Sequence, residues 1–253
     1  MLTMLVRTIK THKITAKDDS LEKVLDKYID DIPEQSVLAV TSKIVAICEG
    51  QLVKIDESNS LQKDALVAMD SQVFVPRKYN PYGFCVSITH NKLIASAGID
   101  ESNGNGYFVL WPEKPQASAN KIREYLTTRF GRKEIGVIIT DSHVVPFVWG
   151  VIGLCLAHSG FEATRNYIGK PDIFGHNLQV THQSNIEGLA AASDVVMGGA
   201  SEQTPLALIT DIPFVKFQDR NPTQEELSLL KISREEDIFW PLLKNAPWEK
   251  GKR

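Results

Sequence analysis

Cysteine is scarce in this chain: Cys48, Cys85 and Cys155 are its only three in 253 residues, odd in number and widely spaced. That excludes a disulfide framework and a cysteine-based zinc motif, and it fits thiols used as small apolar side chains in a reducing compartment. Long apolar runs are also missing, since the longest, near Val144–Ala157, is interrupted by Pro146 and Gly150. A spanning helix needs about 20 apolar residues, so no membrane segment is expected. Met1–Lys13 carries Arg7, Lys10 and Lys13 without an apolar core and cleavage site. No secretory signal is therefore expected, and the cytoplasm is the expected compartment. Positive charge is not in excess: 28 Lys and Arg face 31 Asp and Glu, a formal net charge of −3. A chain without a global basic field lacks the counterion-release grip on nucleic acid.

The common nucleotide and hydrolase signatures are absent as well. Gly169-Lys170 runs into Pro171 rather than Ser or Thr, so no phosphate loop of the GxxxxGK[ST] type exists. No GxGxxG opens a helix, and neither GxSxG nor HExxH occurs. The histidines are scattered, and His176 with His182 makes a poor zinc spacing. Repeats and low-complexity stretches are not visible.

What is present is an apolar content of 43% and a charged content of 23%, the balance of a globular chain with a sizeable core. The length allows one large domain or two lobes. Leu21, Val24, Leu25, Tyr28 and Ile29 recur at helical spacing after Asp19-Ser20, and Ala119, Ile122, Leu126 and Phe130 mark a second helix closed by Gly131. Val37–Val40 and Ile44–Cys48 read as strands around Thr41-Ser42-Lys43, and Ile135–Thr140 reads as a strand buried on both faces. Ser184 with Glu187 fits a capping box that opens a helix with the stripe Ile186, Leu189, Ala190, Val196 and Met197. Leu206–Thr210 and Phe214–Phe217 are expected as closing strands. After Phe217 the pairs Thr223/Glu226 and Ser233/Glu236 suggest a helical tail packed on the body. This mixture without a steady βαβ repeat predicts an α+β fold, with a domain over 1–217 and a C-terminal helical tail over 218–253.

Two segments carry chemistry better than packing. Ala97–Tyr107, with the order AGIDESNGNGY, gathers carboxylate, hydroxyl and amide groups between glycines. Flexible backbone with oxygen ligands suits a phosphate-and-magnesium site, and an ordinary polar turn explains the same residues one at a time. Asp141-Ser142-His143 directly follows the buried run Ile135–Thr140. A carboxylate at the carboxyl end of a core strand faces a crevice, and Asp100 with Asp141 would hold hard cations that neutralise nucleotide phosphates. A capping role for Asp141 is the plainer alternative.

The order AGIDESNGNGYFVLWP, IGVIITDS, YIGKPDIFG and VMGGASEQTPLALI resembles the coenzyme F420-0:γ-glutamyl ligase family over about Thr8–Phe217. TSKIVAICEG, AGIDESNGNGY, GKPDIFG and EQTPLA resemble more narrowly its folate-metabolism γ-glutamate ligase branch. The resemblance implies a mixed-sheet, two-lobed α+β fold in an intertwined homodimer. It implies a ligase that uses GTP, or ATP, with Mg2+ or Mn2+. In the implied reaction an acceptor carboxylate is activated as an acyl phosphate and attacked by the amino group of L-glutamate. By motif, Asp100 and Asp141 match catalytic metal-binding carboxylates, with Ser142 as a hydroxyl ligand. Thr11, His12, Lys13 and Ile14, with Ser42 and Lys43, match N-terminal nucleotide contacts, and Asn103 matches a nucleotide-contacting amide. Met197, Gly198, Gly199, Ala200, Ser201, Glu202, Gln203 and Thr204 match the late nucleotide and metal loop.

Four positions depart from the pattern that the resemblance implies. Gly199 stands where the family usually has Glu or Gln as a metal ligand, with Glu202 three residues on. Val148 and His176 replace arginines, and Ile47 replaces a lysine typical of the deazaflavin members. Arginine is the planar, always-charged partner of phosphate and carboxylate, and neither valine nor neutral histidine substitutes for it. The Val148 change favours a folate-like or other carboxylate acceptor over the phosphate-bearing deazaflavin precursor, while Gly199 and Val148 together raise a non-catalytic reading. The alternatives are the F420-0:L-glutamate ligase activity itself and a non-catalytic relative that binds nucleotide or pterin. A scaffold used only for dimerisation is a third reading.

Overall fold

Two sheets organise the chain in the computed structural model, which describes residues 3–253. In chain order β1 (Leu5–Ile9) is followed by α1 (Leu21–Tyr28), β2 (Ser36–Thr41), α2 (Ser42–Cys48), β3 (Leu52–Lys54), α3 (Gln62–Asp70) and β4 (Val73–Val75). Next come β5 (Val86–Thr89), β6 (Lys92–Ala95), β7 (Tyr107–Val109), α4 (Pro115–Phe130), β8 (Ile135–Val144) and β9 (Val151–Ser159). Then come β10 (Thr164–Asn166), β11 (His182–Ser184), α5 (Asn185–Met197), β12 (Leu206–Thr210), α6 (Gln224–Ser228), α7 (Trp240–Leu243) and β13 (Glu249–Lys250). The first sheet runs β1-β12-β2-β8-β9 and the second β13-β4-β5-β6, with β3–β7 and β10–β11 as separate pairs. Only β2 and β8 lie parallel, so the first sheet is mixed and the fold is α+β, as expected.

The central strands are buried on both faces because both faces are covered. Leu38 and Val40 of β2, with Val137 and Ile139 of β8, face α1, α2 and α4 through Leu25, Ile44, Ile122 and Leu126. Val37, Ala39 and Ile138 face α5 through Ile186, Leu189 and Ala190. Strand alternation thus divides one apolar run between two cores, and each fully buried aliphatic side chain contributes about 1.5–3 kcal/mol. The predicted helix starts are present: Ser20 accepts from the Lys23 amide, and Gly131 caps α4 with φ 63°. All three cysteines are free, and no helix among the described residues is long and apolar enough to cross a membrane.

The structure corrects six local expectations, five in the body of the fold and one in the tail. Ile44–Cys48 belongs to helix α2, since Ile44–Ile47 are all buried and a short, wholly buried apolar run has no periodicity to separate strand from helix. Phe214–Phe217 is not a strand: Phe214 has φ 66°, and only Phe217 makes an isolated bridge, to Phe161. Val196 leaves the stripe of α5 and is exposed, while Ser193 takes the buried position. β8 does not end at Thr140 but continues to Val144 as one arm of a long hairpin with β9. Ser184 receives the Glu187 amide, but the Glu187 carboxylate turns away to the Cys155 amide and Lys92, so only half of that capping box forms.

After Phe217 the Thr223/Glu226 box is complete and opens α6. The Ser233/Glu236 pair closes a turn instead of a helix, with Ser233 Oγ donating to Glu236 at 2.8 Å. β13 then pairs with β4 in the second sheet, Glu249 opposite Phe74 and Lys250 opposite Val73.

Candidate active site

The site forms where β2 stops and β8 goes on. The parallel pairing ends at Thr41 and Thr140, and a register shift between Ile139 and Thr140 follows on the β9 side. Asp141 is the next residue of β8, so a core strand fixes its backbone while its side chain leaves the sheet. Lys43 sits in the first turn of α2, two residues beyond the end of β2. Asp100 is clamped from the other side by a two-bond bridge to Val109: its amide donates to Val109 O at 3.0 Å and its carbonyl accepts at 2.7 Å. The chain reaches Asp100 through Ser96, Ala97 and Gly98, all with positive φ. A Cβ on Gly98 would fall 2.1 Å from the Trp111 indole, so only glycine lets that ring lie against the turn.

These elements bring Lys43, Asp100 and Asp141 together. Lys43 Nζ lies 2.7 Å from Asp100 Oδ2, and also donates to Ser102 O and Ser102 Oγ. Ser102 in turn gives its amide to Asp100 Oδ1 and its hydroxyl to Oδ2. Burial opposes ionisation of Asp100, but the Lys43 and Ser102 hydrogen bonds outweigh it and hold its carboxyl below the usual range. Asp141 goes the other way. Burial pushes it up to about 6, against the hydrogen bonds from the Trp111 indole and the Ser142 amide and the charge of Lys43, and the Asp100 carboxylate adds to the rise. Two carboxylates of opposite pKa shift, one bonded to an ammonium and the other within its field, form an electrostatic centre that cation or proton binding would change.

The other sequence-predicted residues divide into three groups. Around the late loop, Asn103 Nδ2 donates to Ala200 O at 3.0 Å, so the Asp100 segment and residues 197–204 are in contact. The Thr11 amide donates to Gln203 O at 2.8 Å, joining the N-terminal segment to the same loop, and Thr204 Oγ1 closes it onto Met197 O. Glu202 folds back to accept the Ala200 amide at 2.8 Å, and its carboxylate lies beside Gly198, while Gly199 faces open space and Ser201 is exposed. A second group faces away. His12 bonds Tyr28 and Asp18, Met197 and Ile14 pack in the core, Ser42 is buried, and Lys13 is exposed. Met197 is buried, so only its backbone is available to a ligand, while Ile14 is half-buried against the core. Ser142 stands alone: strand alternation turns its side chain to the opposite face of β8 from Asp141, and only its amide reaches that carboxylate.

Two functional contacts escaped the sequence reading. Trp111 is buried and donates its indole N–H to Asp141; an apolar run gave no sign that its last residue supplies a polar donor. Lys92 of β6 lies 3.2 Å from Glu187 of α5, whose other oxygen accepts the Cys155 amide at 2.8 Å. This amide sits at the register shift in β9, so the carboxylate replaces a missing ladder bond. His143, on the same strand as Asp141, feels the charges of both Glu187 and Lys92.

Among the described residues no three His, Cys, Asp or Glu side chains converge as a metal cage. A hard cation such as Mg2+ does not require one, because it binds one or two carboxylates and takes its remaining ligands from water and substrate phosphates. Asp100 and Asp141 fit that role, since burial and, more weakly, the Asp100 carboxylate disfavour the charge of Asp141, and a cation would relieve both effects.

Residues 8–211 match the family described as F420-0:Gamma-glutamyl ligase. A coenzyme F420:L-glutamate ligase of Methanopyrus kandleri is 30% identical over 90% of this chain and 93% of its own length. The enzyme of that name from Methanococcus maripaludis is 30% identical over 88% of this chain and 91% of its own. A third, from Methanocaldococcus jannaschii, is 35% identical over 59% of this chain and 57% of its own length.

Proposed function

This chain belongs to the F420-0:γ-glutamyl ligase family, a family of γ-glutamyl ligase enzymes, and from that premise we propose that it joins L-glutamate to the carboxylate of a deazaflavin-type acceptor. The observation that carries the reading is the meeting of Lys43, Asp100 and Asp141 from three separate segments, beside the contact of Asn103 with the 197–204 loop. The deazaflavin acceptor moves ahead of the folate-like one because the relatives matched over most of the chain are named for coenzyme F420. The folate-like acceptor keeps one specific support: Val148 offers no charge to a phosphate-bearing precursor.

In this reading the nucleotide is GTP, or ATP. An oxygen of the acceptor carboxylate attacks the γ-phosphorus, the bond to the β-phosphate oxygen breaks, and the nucleoside diphosphate departs with that electron pair. The glutamate amino nitrogen then attacks the acyl phosphate carbon and expels inorganic phosphate, and the amine gives up a proton to solvent. Asp100 and Asp141 would hold Mg2+ or Mn2+, which neutralises phosphate charge when bound. Lys43 supplies a positive charge on a flexible stem, and the backbone amides of residues 200–202, which hold the Glu202 carboxylate in this structure, would serve a phosphate only after that side chain swings away. Residues 1–217 form the ligase unit, with 218–253 as an accessory tail. A two-lobed, intertwined homodimer is supported by two exposed apolar excursions. One is the β8–β9 hairpin tip with Phe147 and Trp149; the other is the β10–β11 loop with Ile173 and Phe174. The expected compartment is the cytoplasm.

Mass spectrometry of a panel reaction tests the proposal. Protein, L-glutamate and Mn2+ or Mg2+ are combined with GTP or ATP and with the deazaflavin precursor or a reduced folate. The expected product is the deazaflavin acceptor heavier by one glutamyl residue. A folate product alone would reverse the acceptor, and no product with any combination would remove the ligase reading.

A further inference from the structure

We propose that Lys43 competes with a divalent cation for Asp100, so that the site takes the cation weakly alone and tightly only when a nucleotide polyphosphate draws the ammonium off the carboxylate. The inference rests on the metal- and nucleotide-dependent reading above and assigns the order in which its two ligands arrive.

The argument starts from hydrogen-bond capacity. An ammonium has three donors, and Lys43 directs them at Asp100 Oδ2 at 2.7 Å, Ser102 O at 2.9 Å and Ser102 Oγ at 3.2 Å. Asp100 has Oδ2 filled, since it accepts both Lys43 and the Ser102 hydroxyl at 2.7 Å, while Oδ1 accepts the Ser102 amide at 2.9 Å and keeps one acceptor site. A hard cation that takes Oδ2 must displace one of those two donors, and Lys43 is the one whose charge also opposes the ion.

Charge points the same way. Asp100 and Asp141 as anions with Lys43 sum to one negative charge, and a divalent ion added to that set leaves one positive charge in a partly enclosed place. That surplus disfavours the ion alone. A polyphosphate reverses the balance, because it gives the ammonium a better-charged partner and adds oxygen ligands for the ion. The side chain has room to move, being about a quarter exposed on a flexible four-carbon stem. The contact of Asn103 with Ala200 O places the polar 197–204 loop next to the Asp100 segment.

The test measures binding of Mn2+ alone to the full chain, read from the free-ion signal in electron paramagnetic resonance. Wild type is compared with Lys43→Met and Lys43→Gln, with and without a non-hydrolysable GTP analogue, and circular dichroism melting verifies that each is folded. Without nucleotide, Lys43→Met should bind Mn2+ about tenfold or more tightly than wild type. Lys43→Gln should lie on the same side, and Lys43→Arg should restore weak binding. The analogue should then tighten Mn2+ binding more in wild type than in Lys43→Met. Equal Mn2+ affinity of wild type and both neutral variants would overturn the proposal while leaving the metal-dependent reading intact. A gain that survives Asp100→Asn in the Lys43→Met background would overturn it too, because the ion would then sit elsewhere. Absence of Mn2+ binding in every variant, with and without nucleotide, would overturn both this proposal and the metal-dependent reading.

Discussion

The Trp111 indole donates its Nε1 hydrogen to Asp141 Oδ2, so a residue buried against the Asp100 turn opposes the rise that burial imposes on a carboxylate of β8. Trp111→Phe keeps the packing surface and removes the donor. The lost hydrogen bond held the Asp141 pKa down, so the variant should titrate still higher than about 6. The acidic limb of the kcat/KM profile should move to higher pH, with activity at neutral pH reduced. An unmoved limb would show that the indole contact does not tune Asp141.

Asp141→Asn should separate stability from activity in metal-free protein. The folded pKa of about 6 lies above the unfolded value near 3.8, so the native state binds more protons between those values. The penalty is therefore absent below about pH 4, grows as pH rises through the window, and is complete above the folded pKa. It reaches at most about 3 kcal/mol. The asparagine variant should melt higher than wild type at pH 7.5 and at the same temperature at pH 4, while glutamate incorporation is lost. Equal melting shifts at both pH values would exclude the titration as cause.

Gly98→Ala places a Cβ where the Trp111 ring lies, at a residue with φ +75°. The left-handed backbone alone costs about 1–2 kcal/mol for a non-glycine residue, and displacement of the indole adds to it. A lower urea midpoint with red-shifted tryptophan emission is expected. A variant with wild-type emission would mean that the turn and the ring do not depend on each other.

Glu187 should behave as a backbone partner and not as a cap. Glu187→Gln retains an acceptor for the Cys155 amide and loses only the charge toward Lys92, so its stability should stay close to wild type. Glu187→Ala leaves that amide without a partner, at a cost of about 1–3 kcal/mol. Urea unfolding of the pair decides, since a half-capping role would make the two variants equal.

The parts of the fold legible in the sequence are those with an unshared physical signal. The helix opened by Ser20 and the one closed by Gly131 rest on hydrogen bonds between near neighbours, and Val37–Val40 and Ile135–Thr140 show the doubly buried pattern of central strands. Ile44–Cys48 reads as a strand in the sequence and is a helix in the structure, because full burial erases the difference between the two periods. Asp100 and Asp141 stood out as carboxylates in unusual settings, and the structure places them within electrostatic reach of each other. Trp111 and Lys92 did not stand out, because each acts on a residue far away in sequence, and local chemistry carries no trace of such a partner. The acceptor preference drawn from Val148 rests on one absent charge, whereas the relatives matched over most of the chain are named for coenzyme F420.

The pairing of β13 with β4 has a consequence for biosynthesis. Glu249 and Lys250 pair with Phe74 and Val73 of β4, so that edge is covered only after residue 250 has been made. Until then β4 presents open backbone to whatever strand it meets, and the nascent protein carries a sticky edge throughout its translation. The β4–β5–β6 meander can pair as soon as residue 95 is made, and only its β13 edge waits for residues 249–250. Slow elongation or premature termination upstream of residue 249 would therefore lead to aggregation through β4 even where the large mixed sheet has already formed.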